Sequence, residues 1–210
     1  MVYHGTTLKN ANSIVSEKNI KQSIGDRHWL GDGVYFYEEL LYAVRWIRCK
    51  EKSDELFKKY AIISAELNIN EERVFSFFKY EHKLLFKEVI KICHRRLMEI
   101  NQAVDVVDGT VLNIMFKKMK YGKEYDAVRA MFIHEDKEME QYESRLYYVP
   151  EIQICVKNIS VIKRLEKLEE IEEKCKKYIS IADEFTVKAS GVLGTKDMKY
   201  RRRKEKRYRS

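Results

Sequence analysis

The sequence has little of what marks most specialised chains. Among 210 residues there is one proline, Pro150, and eight glycines, so collagen-like and low-complexity architectures are excluded. Four cysteines (Cys49, Cys93, Cys155, Cys175) stand far apart with no Cys-x-x-Cys pair. Neither a zinc site nor a disulfide framework is indicated, and four reduced, mostly buried thiols are expected. No run of about 18 apolar residues occurs, which excludes a membrane-spanning helix. The opening MVYHGTTLKN has no apolar stretch or cleavage site, so no signal peptide and a cytoplasmic chain are expected. Neither G-x-x-x-x-G-K nor G-x-G-x-x-G appears, so phosphate-loop and doubly wound dinucleotide chemistry lack support. There are no internal repeats.

What is present is a chain that can fold. It is 45% hydrophobic and 35% charged, which excludes wholesale disorder. The net charge is +8, and residues 196–210 (KDMKYRRRKEKRYRS) hold nine Lys/Arg against two acids, hence +7 of it. The expected organisation is one domain over 1–183 and a basic, flexible tail over 184–210. Lys199, Arg201, Arg202, Arg203 and Lys204, with Tyr200 and Tyr208 interleaved, would follow a phosphate backbone and stack on bases. A solubilising tail or an acidic partner would read the same.

Apolar spacing predicts helices over Leu8 to Ile20, Glu38 to Lys50, Glu81 to Ile100, Thr110 to Lys120 and Ile159 to about Tyr178. Strands are predicted at Val34–Tyr37, Tyr60–Leu67, Val74–Phe75, Tyr125–Ile133, Arg145–Val149 and Ile152–Val156. Strands without regular βαβ alternation point to an α+β fold.

Three clusters could carry chemistry: Tyr3-His4-Gly5-Thr6, Gly31-Asp32-Gly33-Val34-Tyr35-Phe36, and Pro150-Glu151-Ile152-Gln153-Ile154-Cys155-Val156. Each has a plain structural explanation: a satisfied histidine, a turn that needs glycine, a solvated strand-edge acid. Glu151 is the odd one, an acid placed behind the chain's only proline at the expected head of an apolar strand.

Together the three resemble the His–Tyr–Glu ADP-ribosyltransferases of the diphtheria-toxin and poly(ADP-ribose) polymerase type. The resemblance runs from His4 to about Leu165. It includes H-G-T, then G-x-G-V-Y-F about thirty residues on, Trp46 eleven after Tyr35, Tyr125-Asp126-Ala127-Val128, and the late Glu151 strand. It implies a split β-sandwich of mixed sheets with flanking helices, and NAD⁺ as substrate. On that resemblance His4 would hydrogen-bond a ribose hydroxyl of NAD⁺. Gly5 would offer its backbone to the nicotinamide carboxamide. Tyr35 and Trp46 would sandwich the nicotinamide ring, and Glu151 would act as the catalytic acid on the nicotinamide ribose. No metal is implied.

Glu151-x-Gln153 departs from the E-x-E and Q-x-E of arginine-modifying relatives, and no helical regulatory domain precedes His4. Transfer of a single ADP-ribose is therefore implied, with nucleic acid, RNA first, as the acceptor, or else protein. A compact transferase of this kind resembles toxins and phage-defence effectors, which implies a neutralising antitoxin. Two other readings stand beside it: an RNA 2′-phosphotransferase, which lacks a late Glu, and an inactive NAD⁺- or nucleic-acid-binding module. Competing acids are Glu143, in a polar stretch, and Glu66, whose facing alternation leaves open. Arg27 and His28 are loop residues or contacts to the NAD⁺ pyrophosphate.

Overall fold

The computed structural model describes residues 1–25, 28–53, 55–99, 107–135, 148–168 and 178–179. The fold is α+β, one mixed sheet of seven strands with helices on both faces. The strands are β1 (Val2–Thr7), β2 (Val34–Tyr37), β3 (Tyr60–Leu67), β4 (Val74–Ser76), β5 (Ala127–Glu135), β6 (Tyr148–Val156) and β7 (Ile162–Lys167). Their order is β4-β5-β6-β2-β1-β3-β7, and only the β4–β5 pair is parallel.

The sheet is nearly divided in the middle. β1 and β3 pair along six positions, from Val2↔Ala65 to Thr7↔Tyr60. β2 and β6 pair along four, from Val34↔Val156 to Tyr37↔Gln153. Between these halves, β1 and β2 share the single pair Tyr3↔Tyr37. The seam opens from that point, with His4 beside it.

Alternation assigns the faces. On one face, Val2, Val34, Phe36, Ile63, Ala127 and Val156 pack with Ala11 and Ile14 of α1 (Leu8–Glu17). That helix starts because Thr7 accepts a hydrogen bond from the Asn10 N–H, and it stops at Lys18, a left-handed residue at φ 48°.

The opposite face is covered at its two ends. Over the β1–β3 end lie α2 (Leu40–Lys50) and α3 (Leu56–Lys59), sharing a core of Ala43, Val44, Ile47, Leu56 and Ile62. Over the β4–β5 end lie α4 (Tyr80–Glu99) and α5 (Asp108–Asn113), packed on Phe75, Val128, Ala130 and Cys155. The strip between them is formed by β2 and β6, and Tyr35, Tyr37, Gln153 and Glu151 lie along it.

Three sequence expectations change. First, Pro150 and Glu151 do not separate two strands. Both lie inside the continuous β6, opposite Ile133 and Phe132 of β5. Proline is tolerated there because β2 ends level with Gln153, so among the described residues β6 has a strand partner on one side only at Pro150. Second, the segment from Ile159 is not helical at its start. Ile159–Val161 is a 3₁₀ turn and Ile162–Lys167 is β7, drawn into strand by pairing with β3. Residues 169–177 lie outside the described residues. Third, the helix predicted over Thr110 to Lys120 ends as α5 at Asn113 and continues as a π-helical turn, Ile114–Lys118. The cysteines agree with expectation: of those described, Cys93 and Cys155 are buried and Cys49 is exposed.

Candidate active site

Glu151 sits on β6, just past the end of β2, and is 8% exposed. Its Oε2 lies 3.1 Å from Arg45 Nη1 of α2, and Gln153 Nε2 donates to its Oε1 at 2.5 Å. Tyr37 and Tyr42 flank it, their rings 6.4 Å apart. The Tyr42 hydroxyl donates to the Pro150 carbonyl, which ties α2 to the strand one residue before Glu151. Burial raises both phenols, with the Glu151 charge adding to the effect; Tyr42 is pushed up to about 12. Both tyrosines are therefore neutral proton donors at physiological pH. The group is a buried carboxylate set in an aromatic wall.

His4 stands at the seam. Its Nδ1–H donates to the Tyr35 carbonyl at 2.8 Å, which bridges β1 to β2 where the strands part. Burial lowers its pKa, so the ring is neutral. A neutral imidazole that donates from Nδ1 keeps a lone pair on Nε2, an acceptor for a hydroxyl.

Gly5 is required by packing. A Cβ there would lie 2.8 Å from Trp46 Cε3, 3.0 Å from Ile47 Cγ2 and 3.2 Å from the Ala43 carbonyl oxygen. The space that a side chain would need is taken by α2, not kept for a ligand. Trp46 is half-buried between Gly5 and Tyr60, with Lys50 Nζ 5.3 Å from its ring centre.

Tyr35 is fixed by its hydroxyl, which donates to the Gly31 carbonyl at 2.7 Å and accepts from the Leu30 N–H at 2.9 Å. The half-buried His28 ring leans on it at 5.7 Å. The structure thus places Glu151, Tyr37 and the α2 residues together, and joins His4 to Tyr35 through the backbone. Tyr35 itself, paired with Cys155, lies four residues along β6 from Glu151.

Three residues beside Glu151 were not singled out from the sequence: Arg45, Tyr37 and Tyr42. The only local signal for them is that Tyr42 and Arg45 lie three apart on one helical face. Of the competing acids, Glu66 pairs with Arg164 at the β7 edge, at 2.8 Å. Glu143, Arg27, Cys175 and the tail residues Lys199, Arg201, Arg202, Arg203 and Lys204 lie outside the described residues.

Comparison with known proteins gives one kinship. The chain is 43% identical over 182 residues to the uncharacterized protein MJ0359 of Methanocaldococcus jannaschii, covering 79% of this chain and 85% of that protein. The chain belongs to the MJ0359 family. No family model matches it, and no solved structure does.

The glycine turn of this MJ0359 relative is held from below. The Asp32 carboxylate accepts from the Gly25 N–H, Asn113 Nδ2 and Lys117 Nζ. Burial works to raise its pKa, but those hydrogen bonds outweigh it and hold the carboxyl below its ordinary range. Lys157 Nζ donates to the carbonyls of Leu30 and Asp32 at 2.5 and 2.6 Å, and burial lowers its pKa. The turn that positions Tyr35 is therefore clamped to the end of β6 and to α5. Among the described residues, no helix is long and apolar enough to cross a membrane.

Proposed function

We propose that this chain is an NAD⁺-dependent mono-ADP-ribosyltransferase that acts on nucleic acid in the cytoplasm. The observation that carries the reading is Glu151, a carboxylate buried in an aromatic wall at the end of β2, with the neutral His4 at the neighbouring seam. The three motifs lie on neighbouring strands, β1, β2 and β6, with Tyr35 and Glu151 on one face and the His4 ring at the seam, edge-on to Phe36.

The chemistry needs such a set. The bond between nicotinamide and the ribose C1′ breaks, and nicotinamide leaves with the electron pair. Positive charge develops on the ribose, and a carboxylate held close stabilises it most in the transition state. An acceptor oxygen or nitrogen then donates its lone pair to C1′ and loses its proton to solvent. His4 Nε2 is suited to accept a hydrogen bond from a ribose hydroxyl. Tyr37 and Tyr42 exclude water beside Glu151, and Arg45 holds the carboxylate in place.

Two residues fit less simply. Gly5 owes its lack of a side chain to α2, so its backbone, rather than a cleared space, would meet the nicotinamide amide. Trp46 turns its Cε3 toward Gly5 and carries Lys50 Nζ over its ring. The tail, carrying +7 over fifteen residues, supports a polyanionic acceptor, RNA before DNA. Such a transferase acts as a toxin or phage-defence effector and calls for a neutralising partner.

The test uses NAD⁺ labelled in the adenosine half, with RNA, DNA or lysate protein in separate reactions. Label in one pool that disappears in Glu151→Gln supports the reading and assigns the acceptor. Intact NAD⁺ in every reaction overturns it.

A further inference from the structure

We infer that an aromatic cavity on the β5 side of Glu151 binds a nucleobase of the acceptor strand. The role in transfer rests on the transferase reading above; the binding does not. The cavity has a volume of about 370 Å³ and is walled by Trp29, Leu30, Phe77, Phe86 and Phe132, with Lys83 and the Asp108 carboxyl as its charged groups. Phe132 is the cross-strand partner of Glu151, so the cavity and the carboxylate share one face of the sheet and one wall.

Three features select the occupant. First, the strand order puts the two halves of a transfer reaction on opposite sides of Glu151. His4 and Tyr35 lie on β1 and β2, one side of β6; the cavity lies against β5, the other side. On the transferase reading, the NAD⁺ motifs take the β1 and β2 flank of Glu151, which leaves the β5 flank for the acceptor.

Second, the walls suit a flat ring. Trp29 meets Phe132 edge to face at 5.3 Å and is 54% exposed, a large indole left standing at an opening. Stacking on such surfaces is tolerant of base identity. One half-open space walled by rings fits a single base better than an extended peptide, which needs a row of alternating pockets.

Third, the polar groups suit a nucleotide. β4 pairs with β5 only as far as Ser76↔Arg129. Beyond Arg129, no strand among the described residues pairs with that edge of β5. The backbone groups that face this edge, those of Met131 and Ile133, can meet a base edge, while those of Ala130 and Phe132 turn to β6. Lys83 supplies a cation for the adjoining phosphate, in keeping with the basic tail.

The experiment uses the full-length chain labelled with ¹⁵N at its two tryptophan indoles, with Trp29→Phe assigning the signals. The probes are a short single-stranded RNA, the same RNA made abasic at every position, and an acidic peptide. The expected result is a Trp29 shift with the intact RNA alone, and about tenfold weaker binding of the abasic strand. Lys83→Ala and Trp29→Ala should lower transfer to RNA about tenfold while NAD⁺ hydrolysis without acceptor is retained.

An equal Trp29 shift with abasic RNA, a shift with the peptide alone, or no shift overturns the base site. A base-dependent shift in a chain that leaves NAD⁺ intact keeps the site and removes the transferase. NAD⁺ turnover with no base-dependent shift does the reverse.

Discussion

Arg45 Nη1 and Glu151 Oε2 lie 3.1 Å apart with both side chains buried, an ion pair that joins α2 to β6. Removing one member of a buried pair leaves an uncompensated charge and costs about 3–5 kcal/mol. Removing both costs far less. Arg45→Met should therefore lower the urea unfolding midpoint sharply, and Arg45→Met with Glu151→Leu should recover most of the loss. A double variant no more stable than Arg45→Met would show that the pair does not hold α2.

His4 has two separable duties, the hydrogen bond to the Tyr35 carbonyl and the acceptor left on Nε2. Asparagine can place its amide nitrogen near the position of Nδ1 and so keep the first duty alone. His4→Asn should stay within about 1 kcal/mol of wild type, whereas His4→Ala leaves the carbonyl unpaired and loses about 1–3 kcal/mol. Both should lose NAD⁺ binding in titration calorimetry. Binding retained by His4→Asn would remove Nε2 from the site.

The same histidine sets a pH dependence. Its folded pKa lies below the unfolded value because burial disfavours the imidazolium. The unfolded chain then takes up the proton first. Stability is complete above about pH 6.5 and falls as pH drops from there toward the folded pKa. Asp32 adds a second, more acidic step. Its carboxyl is held low in the fold, so its contribution is present above about pH 4 and lost as pH falls through its folded pKa. Melting temperatures measured across pH should show both steps. His4→Asn should reduce only the upper one, which His82 shares, and Asp32→Asn only the lower, which Asp126 shares.

How far the sequence revealed this depends on the range of the interactions. β3 was legible from end to end because YAIISAEL is an apolar, β-rich run that needs no partner to declare itself. β7 was not. Ile162-Lys-Arg-Leu-Glu-Lys has no strict alternation, and Arg164 takes φ 51° where the β3–β7 register shifts, so pairing with β3 decides its state. Pro150 misled for a similar reason: a proline reads as a strand break unless β2 is known to stop beside it. In the site, the glycine turn and the His4, Tyr35 and Glu151 motifs were visible as local strings. Arg45 was not, because it meets Glu151 across 106 residues of chain. Gly5 was visible but its reason was not: the neighbour that forbids a side chain is a helix forty residues away in sequence, not a ligand.

Two of the motif glycines, Gly33 and Gly5, should respond to alanine in different ways. Gly33 has φ 155°, and a Cβ there would lie 2.5 Å from Cys155 Sγ and 2.6 Å from the Val156 carbonyl oxygen. The backbone conformation alone costs about 1–3 kcal/mol in an alanine. Because one of the two clashes is with main chain, trimming the thiol cannot relieve it. Gly33→Ala should lose several degrees of melting temperature, and Cys155→Ala should not restore them. Gly5 has an ordinary strand conformation, and its two nearest obstacles are the side-chain atoms of Trp46 and Ile47, at 2.8 and 3.0 Å. These can yield. Gly5→Ala should be destabilised by crowding, and Trp46→Leu in the same chain should return most of the loss. Thermal melts of the four variants decide it: rescue at Gly33, or none at Gly5, would show that turn and helix are held by contacts other than these.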